Sequence, residues 1–248
     1  MKRILLIVSY DGTDYVGWQK QPNGTAVEEV LNRHLSELLC EDIEVIGASR
    51  TDSGVHALGN VAVFDTETKI PPDKICFALN QRLPADIVIQ SSYEVDPDFH
   101  PRKCPCVKTY EYRIFNGRHP NPIFRRYMHF LYLPLDVEAM RKAASYLVGE
   151  HDFKSFCSSH SQATTTVRNV YELDVEEKEE DRGKVIVFRI RGNGFLYNMV
   201  RIIAGTLIKV GLHVYPPEHV KEILESKDRE VAGPKAPACG LTLVGIDF

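Results

Sequence analysis

Short strand-like segments follow one another along the 248-residue chain with helical patterns placed irregularly between them. Strict alternation of strands and helices is typical of parallel βαβ folds, and the spacing here is too uneven for that arrangement. The order therefore predicts an α+β fold with a mainly antiparallel sheet. The expected strands are Ile4–Ser9, Ile43–Ile46, Val61–Phe64, Ile87–Tyr93, a half-buried Val107–Phe115, Val167–Val175, Val185–Ile190 and Leu241–Ile246.

Sequence patterns typical of helices occur between these strands. Thr25-Ala26-Val27-Glu28 has the form of a capping box, and apolar residues with a 3.6-residue period continue from it to Leu39. Asp136 is a candidate N-cap for a helix that runs to about Leu147. Further helices are expected after Pro71-Pro72, over Met199–Val210 and after Pro216-Pro217.

Composition excludes several classes of protein. No stretch approaches the ~18–20 apolar residues that span a bilayer, and the apolar run Ile4–Val8 lacks a following cleavage site. The six cysteines are scattered through a long chain, which favours reduced thiols over a disulfide framework. We therefore expect a folded cytoplasmic protein without a membrane partner.

The densest group of chemically active side chains is the segment Gly47–Ala57, which contains Arg50, Asp52 and His56 between two strand candidates. Loops held by strands commonly present catalytic groups, and glycines allow a ligand to approach the backbone. A carboxylate two residues from an arginine stays ionised at neutral pH, which suits a nucleophile or a base. The alternative interpretation is a polar turn with a local ion pair.

The charge distribution changes what the total charge implies. The net charge of −4 argues by itself against a nucleic-acid binder. However, residues 172–181 hold seven acids and one lysine, which we interpret as an acidic loop, and the rest of the chain then carries +2. Residues 101–130 contribute +6 and interleave these charges with tyrosines and phenylalanines, a combination that suits looped RNA. The alternative is a solvated strand face whose tyrosines pack on the core.

Two further features leave alternatives open. Cys104-Pro105-Cys106 together with Cys157 and His160 offers four possible zinc ligands, although the spacing matches no common zinc framework. Arg201 lies in a strongly apolar helix start, where it requires a carboxylate or phosphate partner unless it snorkels to the surface.

Five segments make the chain resemble the tRNA pseudouridine synthase A family, and they span nearly the whole sequence in the family's order. The stretch RTDSGVHA is the most specific of them. The segments are YDGTDYVGWQKQ (10–21), GASRTDSGVHALGNVAVF (47–64), FHPRKCPCVKTYEYRIFN (99–116), GEHDFKSF (149–156) with VRNV (167–170), and GFLYNMVRIIAGTLIKVG (194–211).

The resemblance implies a role for four residues. Asp52 matches the catalytic aspartate, and Arg50 matches an arginine linked to extrusion of the target base. Tyr110 matches the tyrosine that stacks on the target uracil. Arg201 matches the basic residue that pairs with the catalytic carboxylate. Cys104 and Cys106 depart from the family pattern, in which an aromatic residue and no cysteines are common at this place.

The family fold implies two similar α+β halves that share the sheet, with the active cleft between them. We expect residues 1–105 to carry the aspartate loop and residues 106–248 to carry the stacking tyrosine and Arg201. The implied activity is isomerisation of uridine to pseudouridine in the anticodon stem-loop, at roughly positions 38–40 of tRNA, with Asp52 as the nucleophile. The implied enzyme is a homodimer that needs no metal and no small-molecule cofactor. An RNA-binding module without turnover and a zinc-dependent hydrolase are the competing hypotheses.

Overall fold

The computed structural model describes residues 1–159 and 163–248. The chain divides into two compact units. The first comprises residues 1–105 together with residues 243–248, and the second comprises residues 106–242.

The first unit is a small sheet with two helices. Its central strand β1 pairs antiparallel with β3 on one side and with β4 on the other. The short β2 pairs with β3, and the C-terminal strand β10 also lies beside β3. Leu5, Val61 and Val63 form a buried apolar cluster on this sheet. The elements are β1 (Lys2–Tyr10), α1 (Val27–Leu39), β2 (Ile46–Gly47), β3 (His56–Thr66), a 3₁₀ turn at Pro72–Lys74, α2 (Ile75–Asn80), β4 (Ile87–Val95) and β10 (Leu241–Asp247).

Helix α1 is confirmed, but the predicted capping box is wrong. The N-cap residue is Ala26, whose side chain makes no cap. The backbone N–H groups of Val27 and Glu28 instead donate to the carbonyls of Gly17 and Trp18. The Glu28 carboxylate accepts from the Lys20 backbone N–H rather than from its own helix terminus. Another segment of the chain thus satisfies the helix terminus, which no local motif reveals.

The predicted strand Ile43–Ile46 survives only as Ile46 in β2. The N–H groups of Ile43 and Val45 donate to the side chains of Ser36 and Asn32 on α1. Both apolar side chains are buried. The pattern detected burial correctly, but side chains of the helix take the backbone groups that a strand ladder would have used.

The second unit is built on four antiparallel strands in the order β5-β9-β8-β7, with β6 added in parallel to β5. Helix α4 is buried along almost its full length and packs against α3 and β5. The mainly antiparallel α+β architecture is confirmed in both units. The elements are β5 (Val107–Gly117), β6 (His129–Leu131), α3 (Val137–Ser145), β7 (Gly149–Asp152), β8 (Val167–Glu180), β9 (Gly183–Gly192), α4 (Met199–Gly211) and α5 (His219–Ser226), with 3₁₀ turns at Lys154–Phe156, Arg229–Val231 and Ala238–Gly240.

The prediction that segment 172–181 is an acidic loop is wrong, because residues 172–180 belong to strand β8 and Asp181 alone lies in the turn that follows. Strand β8 pairs in register with β9, so that Glu172 lies opposite Arg191 and Glu179 lies opposite Lys184. Glu177 accepts from the Lys184 ammonium at 2.9 Å. Cross-strand pairing with cations allows a run of acids to occupy a strand.

Strand β5 was expected to be half-buried, and both of its faces are buried at the centre. Tyr110 and Tyr112 are buried on one face, and Thr109 and Glu111 on the other. The Glu111 carboxylate accepts hydrogen bonds from the guanidinium groups of Arg113 and Arg189, at distances of 2.7 Å from the nearest nitrogen of each. These ion pairs make burial of the acid acceptable.

Among the described residues, no helix is both long enough and apolar enough to cross a membrane.

We expect Asp136→Ala to lower the free energy of unfolding by about 1 kcal/mol, because Asp136 is the N-cap of α3 and its carboxylate accepts from the Ala139 N–H at 3.0 Å. Urea denaturation measures this loss. Asp136→Asn is the matched control, since its amide oxygen still accepts this bond. An equal loss in both variants would contradict a capping role.

Candidate active site

The loop that carries Asp52 lies between β2 and β3 of the first unit and is held by its backbone. The Trp18 N–H donates to the Thr51 carbonyl at 3.1 Å, and residue 52 forms a β-bridge with Gly17. Within the loop, the Val55 N–H donates to the Asp52 carbonyl at 3.1 Å. Asp52 itself is half-buried. The carboxylate is therefore carried by a backbone that is fixed on both sides while the side chain keeps access to solvent.

Gly17 permits this close approach. Its φ is +112°, and a Cβ atom built on it would lie 2.5 Å from the Thr51 carbonyl oxygen. Any other residue would have to push the aspartate loop away and adopt a backbone conformation that L-residues avoid. The segments 10–21 and 47–64, both noted in the sequence, therefore pack together within the first unit and hold the aspartate loop in place.

A buried polar group supports the same loop from below. Asn60 is 0% exposed, and its amide nitrogen donates to the Ser49 carbonyl at 3.0 Å and to the Tyr10 hydroxyl at 3.3 Å. The Tyr10 hydroxyl lies 2.7 Å from the Thr51 hydroxyl. The Val61 N–H donates to the Asn60 amide oxygen, which orients the amide. These bonds connect the residues on either side of Arg50 to the strands beneath them.

Sequence reasoning did not select Asn60 or Tyr10. A usable signal was present, because Asn60 immediately precedes the apolar run Val61–Phe64. A polar side chain at such a position is buried at a cost unless it finds hydrogen-bond partners.

His56, the third polar residue that the sequence pointed to in this loop, serves to hold the backbone together. It is buried at the start of β3, and its Nδ1 accepts from the Gly12 N–H at 3.0 Å. An Asp11 carboxylate oxygen lies 3.2 Å from the same nitrogen. His56 thus connects the start of β3 to the Asp11-Gly12 segment. Arg50, in contrast, is exposed.

The second unit holds the other two predicted site residues. Tyr110 lies on β5 with 7% of its surface exposed, and its ring packs edge-to-face with Phe195 at a centroid distance of 5.3 Å. An edge-to-face partner holds the ring plane in place.

Arg201 lies in the first turn of α4 and does not snorkel, so that alternative was wrong. The residue is 9% exposed. Its Nε donates to the Ala236 carbonyl at 2.8 Å, and its Nη1 donates to the Asn198 side-chain oxygen at 3.2 Å. Asn198 in turn donates to the Ser158 hydroxyl. These acceptors fix the direction of the guanidinium.

The aromatic residues of segment 101–130 divide between two roles. Tyr112 and Phe115 belong to the core, as the alternative interpretation expected, whereas Tyr127 is 47% exposed. Of the basic residues in the second unit, Arg113 is paired with Glu111, while Arg118 and Arg125 are exposed.

The zinc hypothesis finds no cluster in the described chain. All six cysteines are free thiols, and no group of three or more His, Cys, Asp or Glu side chains is arranged to bind a metal among residues 1–159 and 163–248. His160, one of the four ligands considered, lies outside the described residues.

Comparison with known proteins assigns a class to this geometry. A family model described as tRNA pseudouridine synthase matches residues 6–102 and 143–248, which include Asp52 and Arg201. Tyr110 lies between the two matched stretches. The chain is therefore an isomerase that forms pseudouridine.

It belongs to the tRNA pseudouridine synthase family. The chain is similar over its full length to proteins named tRNA pseudouridine synthase A. That of Thermoanaerobacter sp. (strain X514) is 48% identical over 248 residues, covering 100% of both chains. That of Acetivibrio thermocellus is 47% identical with the same coverage, and that of Brevibacillus brevis is 49% identical over 243 residues, covering 98% of each chain.

A solved structure described as an H/ACA RNP bound to a substrate RNA containing 2′-deoxyuridine is similar to this chain with a TM-score of 0.34 at 12% identity, covering 99% of this chain and 56% of that chain.

The buried amide beneath the aspartate loop generates a prediction. Asn60→Leu leaves the Ser49 carbonyl without this donor in a buried place, so we expect the free energy of unfolding to fall by about 2–3 kcal/mol in urea denaturation. Gln90→Leu, at an exposed strand position, is the control and should change stability by less than about 0.5 kcal/mol. Similar losses in the two variants would show that the Asn60 bonds are not what holds the loop.

Proposed function

We propose that this enzyme isomerises uridine in the anticodon stem-loop of tRNA, on the 3′ side of the anticodon, with Asp52 as the catalytic nucleophile. The observation that carries the proposal is the placement of Asp52: a half-buried carboxylate on a loop whose backbone is bound to Gly17 and Trp18. Catalysis depends on holding a reactive group at a fixed position, and this loop does so. The choice of stem-loop and of uridine rests on the family resemblance.

The reaction explains why one carboxylate is sufficient. The N1–C1′ bond of the uridine breaks, a C5–C1′ bond forms, C5 loses its proton and N1 gains one, so that no atom is added or lost. Glycosidases need a second carboxylate because a leaving group departs and water must be activated. Here the base stays in the site. Attack of Asp52 at C1′, addition at C6 and passage through a glycal are three routes that satisfy this balance.

The target base has to leave its stack before a side chain can reach it. Flipping a nucleotide costs a few kcal/mol. We propose that Tyr110 replaces the lost stacking, worth about 1–3 kcal/mol. Its ring, fixed edge-to-face by Phe195, is already oriented before the base arrives. We propose that the exposed Arg50 occupies the vacated space or holds the displaced backbone.

We further propose that Arg201 is the positive partner of the catalytic carboxylate. Its support is the family resemblance together with a buried guanidinium directed by Ala236 and Asn198. A nearby positive charge keeps a carboxylate ionised in a desolvated site. The cytoplasmic location and the homodimeric state stay predictions.

We expect Asp52→Asn to abolish tritium release from tRNA labelled at C5 of uridine, while tRNA binding stays within about threefold of wild type. The amide has the shape of the carboxylate but is neither a nucleophile nor a base. Asp98→Asn, an exposed aspartate of the same unit, is the control and should retain turnover. Turnover by purified Asp52→Asn would contradict the mechanism. Binding of tRNA without turnover by the wild-type enzyme would favour an RNA-binding module.

Stacking by Tyr110 predicts that the ring matters more than its hydroxyl. Tyr110→Leu should lower kcat/KM by about 10- to 100-fold, and Tyr110→Phe by far less, because phenylalanine keeps the π-face. Single-turnover assays on tRNA measure both. Tyr132→Leu, which removes an exposed tyrosine of the same unit outside segment 101–130, is the matched control. Equal losses for the leucine and phenylalanine variants of Tyr110 would exclude stacking as its main contribution.

A further inference from the structure

Two cations of the second unit, Lys108 and Arg168, lie on the strands that flank Gly192, the last residue of β9. Lys108 on β5 is the register partner of Gly192, and Gly192 is in turn the partner of Val170 on β8. Arg168 lies two residues before Val170 on β8. The side chains of Lys108 and Arg168 therefore belong to the same face of the sheet, on either side of a strand position that has no side chain.

The position opposite Lys108 has no room for a side chain. A Cβ atom built at Gly192 would lie 2.7 Å from the Asn169 carbonyl oxygen on β8 and 3.3 Å from the Phe195 ring, so the ring lies close to the strand at this glycine. The same ring holds Tyr110 edge-to-face. Lys108 and Tyr110 are two residues apart on β5, which places their Cα atoms about 7 Å apart on one face. Lys108 thus borders the ring proposed to stack on the uracil, and Arg168 lies on the same face two strands away.

The guanidinium of Arg168 is hydrogen-bonded to the backbone through Nη1, and its Nε–Nη2 edge is available to a ligand. Its Nη1 donates to the carbonyls of Thr165 and Val167, at 2.9 and 2.6 Å. In the described part of the chain, Nε and Nη2 make no hydrogen bond, and neither is a buried unsatisfied atom. The Nε–Nη2 edge of an arginine presents two parallel N–H groups, the arrangement that binds phosphate oxygens in a bidentate manner.

The two positive charges oppose each other. Burial lowers the pKa of Lys108, the Cys106 thiol acts in the opposite direction, and the charge of Arg168 lowers it again. Burial also lowers the pKa of Arg168, against the influence of the Cys157 thiol. An anion that binds between two half-buried like charges reduces their mutual repulsion.

We propose that Lys108 and Arg168 together bind one backbone phosphate of the RNA, adjacent to the nucleotide that stacks on Tyr110. The proposal deepens the proposed function and rests on it for the identity of the ligand as RNA. A phosphate carries the charge opposite to that of the two cations, and its oxygens fit the open guanidinium edge of Arg168. This contact positions the strand without reading its sequence.

A double-mutant cycle tests whether one phosphate is shared. We expect Lys108→Gln and Arg168→Gln each to weaken tRNA binding by about tenfold. Each should also reduce the slope of log Kd against log KCl concentration by about 1, the amount expected for the loss of one phosphate contact. The double variant should lose much less than the product of the single losses, because both cations hold the same group. Lys178→Gln and Arg182→Gln, exposed cations of the β8–β9 hairpin, are the controls and should bind as wild type.

A neutral phosphate locates the contact on the RNA. Replacing single phosphates of a tRNA-derived stem-loop by methylphosphonate should weaken wild-type binding strongly at one position beside the target uridine and leave binding by the double variant unchanged there. Lys108→Arg and Arg168→Lys keep the charges and should recover much of the affinity, and thermal melting of every variant checks folding.

The outcomes separate this proposal from the proposed function. If wild-type enzyme forms pseudouridine but the Gln variants bind tRNA with unchanged Kd and salt dependence, the phosphate site is wrong. Slower alkylation of Cys106 and Cys157 in variants with unchanged tRNA binding would instead assign the cations to the thiols, which also overturns it. If wild-type enzyme forms no pseudouridine, the proposed function fails, while the binding cycle still decides whether the two cations share a phosphate.

Discussion

The approach of Gly17 to the backbone of Thr51 and Asp52 is the constraint on which the first unit's site depends. Contact at this distance leaves no room for a Cβ atom, and it brings two segments some thirty-five residues apart into a single structure. The same segment that meets the aspartate loop also supplies the carbonyls that cap α1. Helix α1, the loop and the Asp52 carboxylate are therefore positioned by one stretch of backbone, and displacing it would disturb all three.

Buried polar groups fix several loops and side chains of the candidate site. Asn60 connects the loop around Asp52 to the sheet, and the Asn198–Ser158 contact supports the guanidinium of Arg201. The Glu111 carboxylate likewise fixes the guanidinium groups of Arg113 on its own strand and Arg189 on the neighbouring strand. Each group would be costly without its partners, and with them it restricts the side chain to one orientation. Such bonds pre-organise a site before substrate binds.

Much of the fold was predictable because burial leaves a periodic trace in the sequence. The extents of α1 and α4 and the cap at Asp136 followed from local patterns, and most strands were found within a few residues. The errors share one cause. The capping box before α1, the strand at Ile43 and the supposed acidic loop were each decided by partners distant in sequence, namely Gly17 and Trp18, Ser36 and Asn32, and the cations of β9. Local patterns register which residues are buried but not which groups satisfy their hydrogen bonds.

The sequence by itself determined the α+β class, the family and the residue types available for chemistry, because these depend on periodicity and on motifs read in order. The tertiary structure alone decided which polar groups are buried and how they are held. Asn60 lies beneath the aspartate loop, Arg201 lies inside rather than at the surface, and Lys108 and Arg168 lie on one face of the sheet. The sequence likewise gives the net charge of −4, but only the structure shows that the acids of β8 lie opposite the cations of β9. A total charge has no position, and electrostatic interaction depends on distance and burial, which only the folded chain defines.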